Sequence, residues 1–229
     1  MNAAALPRLT RSVEDYLKAV YSLTEREESS STSALAEALD VQPASVTGMV
    51  KRLAEWGYLE HARYHGVRLT ETGSSEALRV IRRHRILETY LHTHLGYSWE
   101  DVHQEAERLE HAASDRLIDR MAASLDHPSH DPHGAPIPTP SGEIERSDAL
   151  TLNEVALGLA VQIRSVLDED PARLRYLENL GLVPGARITV QERAPLDGPT
   201  TVSVESRGDT EVIDSDLADG IFLIPAPGR

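Results

Sequence analysis

The sequence predicts an α+β protein, mainly α, that is built from three successive regions. Apolar residues recur at helical spacing over most of residues 10–125, whereas residues 150–229 contain short segments of alternating apolar and polar residues. The stretch between them is rich in Pro, Gly and His and is typical of a linker. We therefore expect three domains, at 1–71, 72–142 and 143–229.

The first region has the pattern of a winged helix-turn-helix. A helix is predicted from about Ser12 to Thr24, because apolar residues recur there at near-helical spacing. Two further helices, ALAEAL and PASVTGMVKRLAEWG, are separated by the tight connection DVQ; Pro43 suits a first helical turn and Gly57 a helix end. The stretch YLEHARYHGVRLTETG then predicts a two-stranded wing. This order of elements is typical of a DNA-binding domain.

Residues 72–125 are predicted to be helical throughout. We expect a long helix over about Thr72–Leu95, a second from Ser98 to about Ala113 and a third near Ser114–Leu125. Ser98 is followed by acidic residues and resembles a helix N-cap. Because three such helices are too small for an independent core, we expect them to pair with a second copy as a helical dimerisation domain.

The last region predicts a small β-domain. Alternating patterns in LAVQIRSV, ARITVQER, TTVSVES and IFLIP indicate strands, and DPARLRYLENLG indicates one short helix. Short strands around one helix within about 80 residues are typical of a small SH3-like β-barrel.

Composition excludes several classes of site and location. The chain has no cysteine, which excludes disulfides and thiolate metal sites. Its first residues lack the apolar core of a signal peptide, and the longest apolar run, Val155–Val161, is far shorter than the ~18 residues of a membrane span. We expect a cytoplasmic protein with no membrane partner. The net charge of −14 lies mostly in the C-terminal third, so local basic groups near the N-terminus could still bind DNA.

Histidines and glutamates in the helical region have metal-ligand spacing. Four of them occur at i, i+4, i+7 and i+8 and so share one helical face about 100° wide: His103, Glu107, Glu110 and His111. His84 and Glu88 form a second pair one turn apart. Such a face provides most of a coordination shell for a divalent cation, although a solvated polar face has the same pattern.

Linker histidines leave two interpretations open. His127, His130 and His133 recur every three residues, and histidine-rich tracts can bind metal. The intervening prolines preclude a regular helical face and favour a structural turn.

In their order along the chain, these motifs resemble the DtxR/MntR family of metal-dependent repressors over essentially the whole length. The resemblance is carried by SVEDYLKAVYSL, ALAEALDVQPASVTGMVKRL, HGVRLTETG, RRHRILETYL, VHQEAERLEH and PHGAPIP. YLENLGLVPGARITV and APLDGPTTVSV are similar to the family's FeoA-type SH3-like domain. The resemblance implies a homodimer that binds double-stranded operator DNA, with Mn²⁺ or Fe²⁺ as co-repressor, and that controls metal-ion homeostasis genes.

The same resemblance implies two metal sites per subunit. The primary site would combine Asp15 of the first helix with Glu107, Glu110 and His111. The ancillary site would combine His84, Glu88 and His103 with an acceptor from the C-terminal domain, for which Glu169 is the first choice and Asp168 or Asp170 are alternatives.

Two departures from the family patterns bear on the metal. Asp15 and Glu107 stand where iron-type members often have methionine and cysteine, and such hard oxygen donors suit Mn²⁺ and Fe²⁺. Lys18 stands where manganese-type members often supply a second N-terminal carboxylate, which argues against a two-manganese cluster.

On the recognition helix, the residues expected to face DNA are small or neutral: Gln42, Pro43, Ala44, Ser45, Thr47 and Gly48. Lys51 and Arg52, with Arg63 and Arg68 of the wing, are expected to contact phosphates. Few direct base contacts would leave part of the specificity to DNA shape.

Two rival functions are weighed against this interpretation. A winged-helix repressor of an organic ligand would need no divalent ion for DNA binding. A carboxylate-bridged metalloenzyme is suggested by Glu100 and His103, which match the Glu-x-x-His of di-iron bundles. The sequence offers no convincing second motif of that kind and no HExxH, so we expect a protein that is not an enzyme.

Overall fold

The computed structural model describes residues 9–24, 29–62, 66–146, 148–167 and 170–226. The chain divides into two compact units. The first comprises Met1–Arg83, Glu110–Ala112 and Pro138–Glu143, and the second comprises His84–Leu109, Ala113–Ile137 and Ile144–Arg229.

The first unit contains the predicted winged helix-turn-helix. Its elements in chain order are α1 (Arg11–Thr24), α2 (Thr32–Ala38), α3 (Pro43–Glu55), β1 (Leu59–Ala62), β2 (Gly66–Leu69) and the first half of α4 (Glu71–Leu95). Pro43 occupies the first turn of α3, and Gly57, just beyond its end, has a φ of +78°. β1 and β2 pair antiparallel as the wing.

The core of the first unit follows from helical spacing. Each main helix buries apolar residues at i, i+4 and i+7: Val13, Leu17 and Val20 on α1, and Val46, Val50 and Leu53 on α3. Ser30 holds the wing, because its N–H and C=O each pair with Val67 at 2.9 Å. Gly66 is required beside it, since its φ is +102° and a Cβ there would lie 2.0 Å from the Ser30 carbonyl oxygen.

The helical part of the second unit comprises the rest of α4, α5 (Val102–Leu109) and α6 (Asp115–Ser124). These helices share a small apolar core, formed by Ile86, Leu87, Leu91, Val102, Ala106, Ile118, Ala122 and Ile137. The helices do not form this core alone, because Ile137 of the following linker contributes to it. The predicted helix from Ser98 was too long: the Ser98 hydroxyl donates to the Asp101 carboxylate at 2.7 Å, and α5 begins only at Val102.

The rest of the second unit is an antiparallel six-stranded sheet with strand order β3-β8-β4-β5-β6-β7. The elements are β3 (Leu150–Thr151), β4 (Ala160–Val166), α7 (Pro171–Leu180), β5 (Arg187–Arg193), β6 (Thr200–Val204), β7 (Thr210–Ile213), α8 (Ser215–Ala218) and β8 (Ile221–Pro225). The four predicted strands and the helix α7 are confirmed. The short edge strands β3 and β7 and the one-turn α8 were not predicted, because two to four residues carry too little periodicity.

The linker after α6 packs closely on the sheet. Val166 N–H donates to the His133 carbonyl at 2.9 Å. Gly134 has a φ of +84°, and a Cβ there would lie 2.0 Å from the Arg164 carbonyl oxygen of β4. Trp99 is buried in the apolar core of the sheet, and its indole N–H donates to the Pro132 carbonyl at 2.9 Å.

Candidate metal centre and DNA-binding surface

In the first unit, α1 and the short segment that follows Leu109 bring three potential metal ligands together. His111 Nε2 lies 2.9 Å from Asp15 Oδ1 and 3.3 Å from Glu110 Oε1. The Glu110 side chain is fully buried, and that of His111 is 10% exposed. Within the described residues, His111 Nε2 is a buried atom with no hydrogen-bond partner. An orphaned ring nitrogen between two carboxylates has the donor chemistry of a divalent-cation site.

A further carboxylate, which the sequence analysis missed, contacts the other nitrogen of the same ring. Glu14 Oε2 lies 2.6 Å from His111 Nδ1, and Arg83 Nη2 donates to Glu14 Oε1 at 2.5 Å. The side chains of Glu14 and Arg83 are only 11% and 12% exposed. The available signal was a charged residue next to Val13, one of the apolar residues that recur at near-helical spacing in α1.

Lys18 lies one turn after Asp15 on α1 and points its ammonium at Glu110. Lys18 Nζ donates to Glu110 Oε1 at 3.0 Å and to Oε2 at 3.3 Å. A positive charge therefore lies beside the most buried carboxylate of the cluster.

Glu107 belongs to the second unit and lies in the last turn of α5. Its side chain is 30% exposed, and Glu107 Oε1 is 3.8 Å from His84 Nδ1. By sequence it precedes Glu110 and His111 by three and four residues, which is one helical turn.

The predicted ancillary ligands meet in the second unit. His84 Nε2 lies 2.8 Å from Glu88 Oε1 and 3.1 Å from His103 Nδ1, and His103 Nδ1 lies 3.2 Å from Glu88 Oε1. Burial alone would raise the pKa of Glu88, but the adjacent His84 and His103 imidazoles outweigh it and hold that pKa well below 4.5. Glu88 is therefore a buried carboxylate at neutral pH, and its ligand atom and two ring nitrogens face one point.

Two linker residues extend this cluster, and the sequence analysis assigned neither of them to it. His133 Nδ1 lies 3.9 Å from Glu88 Oε1, while His133 Nε2 is 2.9 Å from the Trp99 carbonyl oxygen. Asp131 accepts backbone N–H groups from His133 and Ala135 through Oδ1. Burial, followed by the charge of Glu88, raises the pKa of Asp131 to about 7, and burial lowers the pKa of His133. Glu88, Asp131 and His133 thus form a second possible metal-ligand group that shares Glu88.

The structure separates the linker histidines from one another. His133 is buried beside Glu88, His127 is exposed, and His130 lies 3.1 Å from the Arg164 guanidinium. The DPHG turn, with its positive-φ glycine, is the local reason that His133 points inward.

Of the C-terminal candidates for the ancillary site, Asp170 lies within the described residues and is not part of the cluster of His84, Glu88 and His103. Glu169 and Asp168 lie outside the described residues. Asp170 is described and caps α7, since its carboxylate accepts the Ala172 N–H at 2.7 Å.

The predicted DNA-facing residues lie on the exposed side of α3 and on the wing. All those assigned to the recognition helix are exposed: Gln42, Pro43, Ala44, Ser45, Thr47, Gly48, Lys51 and Arg52. The Arg52 guanidinium lies 5.7 Å from the centre of the Trp56 ring. On the wing, Arg68 Nε donates to Glu60 Oε1 at 2.8 Å, whereas Arg63 lies outside the described residues.

Across the described ranges, no helix combines the length and apolarity needed to cross a lipid bilayer.

Comparisons with known proteins match each region of the chain. Residues 8–67 match the N-terminal DNA-binding domain of iron-dependent repressors, residues 70–139 their metal-binding and dimerisation domain, and residues 150–225 the FeoA domain. The iron-dependent repressor IdeR of Mycobacterium tuberculosis (strain ATCC 25618 / H37Rv) is 33% identical over 206 residues, which cover 85% of this chain and 89% of that protein.

Two further relatives are a transcriptional regulator and a repressor whose structure was solved with manganese. The regulator MntR of Oceanobacillus iheyensis is 40% identical over 112 residues, which cover 49% of this chain and 76% of that protein. A solved structure of a manganese-dependent transcriptional repressor in complex with manganese is 37% identical and has a TM-score of 0.88, covering 93% of this chain and 99% of its own. The chain therefore belongs to the DtxR/MntR family, and it is an iron- or manganese-dependent transcriptional repressor and not an enzyme.

Proposed function

We propose that this repressor senses Mn²⁺ or Fe²⁺ through a primary site and an ancillary site in each subunit and that the occupied homodimer binds operator DNA in the cytoplasm. The primary site would use Asp15, Glu107, Glu110 and His111, and the ancillary site His84, Glu88 and His103. The regulated genes would be those of metal-ion homeostasis, as the resemblance to IdeR and MntR suggests.

The observation that supports the primary site most strongly is the unsatisfied His111 Nε2 between Asp15 and Glu110. Two carboxylates and one imidazole supply hard oxygen donors and one nitrogen, a set that suits Mn²⁺ and Fe²⁺. Glu107 is proposed as the fourth ligand because it precedes Glu110 and His111 by one helical turn. A bound divalent ion supplies the positive charge that lets these carboxylates share one point.

The chain's own residues connect this site to DNA binding. Asp15 is carried by α1, whose buried face packs in the same apolar core as Val46 and Val50 of the recognition helix α3. Holding Asp15 against Glu110 and His111 restrains α1 and, through that core, α3. In a homodimer the two recognition helices must reach major grooves about 34 Å apart, so a small change in their orientation decides the fit.

On α3, the proposed division is between base-facing and phosphate-facing residues. Gln42, Ser45 and Thr47 would approach base edges, while Lys51 and Arg52 would contact phosphates. Arg68 would contact phosphate by exchanging its Glu60 partner, and Arg63 of the wing remains an expectation from sequence alone.

The proposed dimer uses exposed apolar residues on the helices of the second unit. Leu95, Leu109 and Leu117 lie outside the helical core and are 58%, 37% and 44% exposed, so they provide apolar surface that a second subunit could bury. We expect Leu117→Glu to convert the dimer to a monomer in sedimentation velocity. An unchanged dimer would place the interface elsewhere.

The proposed function is tested by titrating operator binding with Mn²⁺ and with anaerobic Fe²⁺, in the wild type and in Asp15→Ala. Glu71→Ala is the matched control, because it removes an exposed carboxylate from the same unit. We expect Asp15→Ala to abolish metal-stimulated binding and Glu71→Ala to retain it. Full metal-dependent binding by Asp15→Ala would show that α1 supplies no ligand.

A further inference from the structure

The buried carboxylate of Glu14 has no place in the proposed ligand set. It lies beside Asp15 on α1, yet it faces the back of the His111 ring, 2.6 Å from Nδ1, while Nε2 faces Asp15 and Glu110. A neutral imidazole carries one proton, and the nitrogen without it is the one that can bind a metal. Whatever group occupies Nδ1 therefore decides whether Nε2 is available.

We propose that Glu14, anchored by Arg83, is a positioning residue that keeps the proton of His111 on Nδ1 and so leaves the Nε2 lone pair free for the metal. The inference rests on the proposed function of the primary site and deepens it. A carboxylate only accepts hydrogen bonds, so the 2.6 Å hydrogen bond to Glu14 Oε2 requires a proton on Nδ1. Nε2 makes no hydrogen bond within the described residues, although Asp15 and Glu110 lie near it. Hydrogen bonds of this kind fix the tautomer and the ring orientation of metal-binding histidines.

Arg83 fixes the direction of this arrangement. Its guanidinium has donors only, and it occupies Glu14 Oε1 at 2.5 Å. With Oε1 taken by a donor and Oε2 facing Nδ1, both carboxylate oxygens are engaged in a region where the two side chains are about nine-tenths buried. Water is therefore a poor substitute for either partner.

This geometry makes an unusual prediction for the isosteric variant Glu14→Gln. The Arg83 guanidinium can only donate hydrogen bonds, so it would bind the amide oxygen of the introduced glutamine. The amide NH₂ would then face His111 Nδ1. His111 Nδ1 could then form a hydrogen bond with the amide NH₂ only as the acceptor. The ring proton would therefore move to Nε2, which lies 2.9 Å from Asp15 Oδ1. The change preserves shape and hydrogen bonding but removes the metal-binding lone pair.

The first test needs no metal. Two-bond ¹⁵N–¹H correlation spectra of the metal-free full-length protein, recorded at a pH where imidazole is uncharged, show which ring nitrogen of His111 carries the proton; His111→Gln assigns the signal. We expect protonated Nδ1 in the wild type and protonated Nε2 in Glu14→Gln. A wild-type ring protonated on Nε2 would overturn the inference.

The second test is Mn²⁺ affinity by calorimetry, measured without DNA. Glu14→Gln is expected to bind Mn²⁺ about 10- to 100-fold more weakly than the wild type, the range found when such a partner is lost. In Glu14→Gln/Arg83→Met the amide oxygen is free to face Nδ1, so we expect most of this loss to be recovered. A double variant no better than Glu14→Gln would refute the role of Arg83, and an unweakened Glu14→Gln would refute that of Glu14.

The two proposals fail in different ways. If the wild type binds no Mn²⁺ or Fe²⁺ at this site, the proposed function is refuted, whereas the NMR spectra would still show whether Nδ1 of His111 carries the proton. A wild type that binds metal with Nδ1 unprotonated would refute only the inference about Glu14.

Discussion

Lys18→Met is the sharpest test of how the primary site balances its charges. Lys18 Nζ is 3.0 Å from Glu110 Oε1, and a divalent ion held by that oxygen lies about 2.1 Å from it. The ammonium and the ion are therefore at most about 5 Å apart unless the lysine withdraws. Removing the ammonium removes a repulsion that the metal must otherwise overcome.

The size of the effect follows from Coulomb's law. Charges of +1 and +2 at about 5 Å repel by about 1.7 kcal/mol even at the dielectric constant of water. Lys18 is 21% exposed and can swing outward, so the dielectric constant of water is the appropriate one. The loss of this repulsion corresponds to roughly a 15-fold gain in Mn²⁺ affinity. The metal-free variant should also be less stable, because the fully buried Glu110 loses a cation partner.

The assay is Mn²⁺ calorimetry, together with thermal unfolding in the presence of chelator and of Mn²⁺. Lys51→Met is the matched control, since it removes the same charge from the exposed face of α3 and should leave DNA-free metal affinity unaltered. We expect Lys18→Met to bind Mn²⁺ more tightly and to show a larger metal-induced rise in Tm. Equal or weaker binding than the wild type would refute the reasoning and give Lys18 a supporting role toward the ion.

Further predictions address the softer ligands, the linker and the ionic conditions. Glu107→Cys should shift preference from Mn²⁺ toward Fe²⁺, Co²⁺ and Zn²⁺, because a thiolate is softer than a carboxylate; an unchanged ratio of activating concentrations would remove position 107 from the ligand set. Gly134→Ala should lower the free energy of unfolding by at least about 2 kcal/mol, because a Cβ at this positive φ meets a β4 carbonyl. Gly142→Ala is the control: its φ is also +84°, but a Cβ there meets no atom within 4 Å, so the free energy of unfolding should fall less. The pKa of Asp131 is raised from 3.8 to about 7 by burial and by the charge of Glu88, so between about pH 4 and 7 the folded protein holds a proton that the unfolded chain has released. In the chelated protein the contribution of this carboxyl to the free energy of unfolding therefore falls as pH rises through that window, and Asp131→Asn should remove that fall in urea titrations at several pH values; an unaltered slope would assign the pH dependence to other groups. Finally, monovalent salt should weaken operator binding, and micromolar Mn²⁺ should strengthen it. If millimolar Mg²⁺ replaced Mn²⁺ fully, the metal would act only by neutralising the acidic protein, and specific metal sensing would be refuted.

Local sequence determined most of the secondary structure, and the family resemblance supplied the sets of candidate ligands. The apolar stripes of α1 and α3 gave their helices and buried faces, and the wing followed from its strand pattern. These features depend on contacts between residues a few positions apart, for which periodicity is a direct readout. The family motifs likewise marked His84, Glu88 and His103, which the structure brings together.

Tertiary structure alone decided what surrounds those ligands. Glu14 and Arg83 meet His111 across large separations in sequence, and no local pattern distinguishes a buried partner of a histidine from a solvated charge. His133 joined Glu88 because the linker turn packs on β4, a contact set by a glycine and a backbone carbonyl and not by side-chain periodicity. The candidate ligands of α4 and α5 follow from residue type and spacing, and Asp15 follows from the family resemblance. Protonation, charge balance and ring orientation depend instead on which distant groups the fold brings within hydrogen-bond distance.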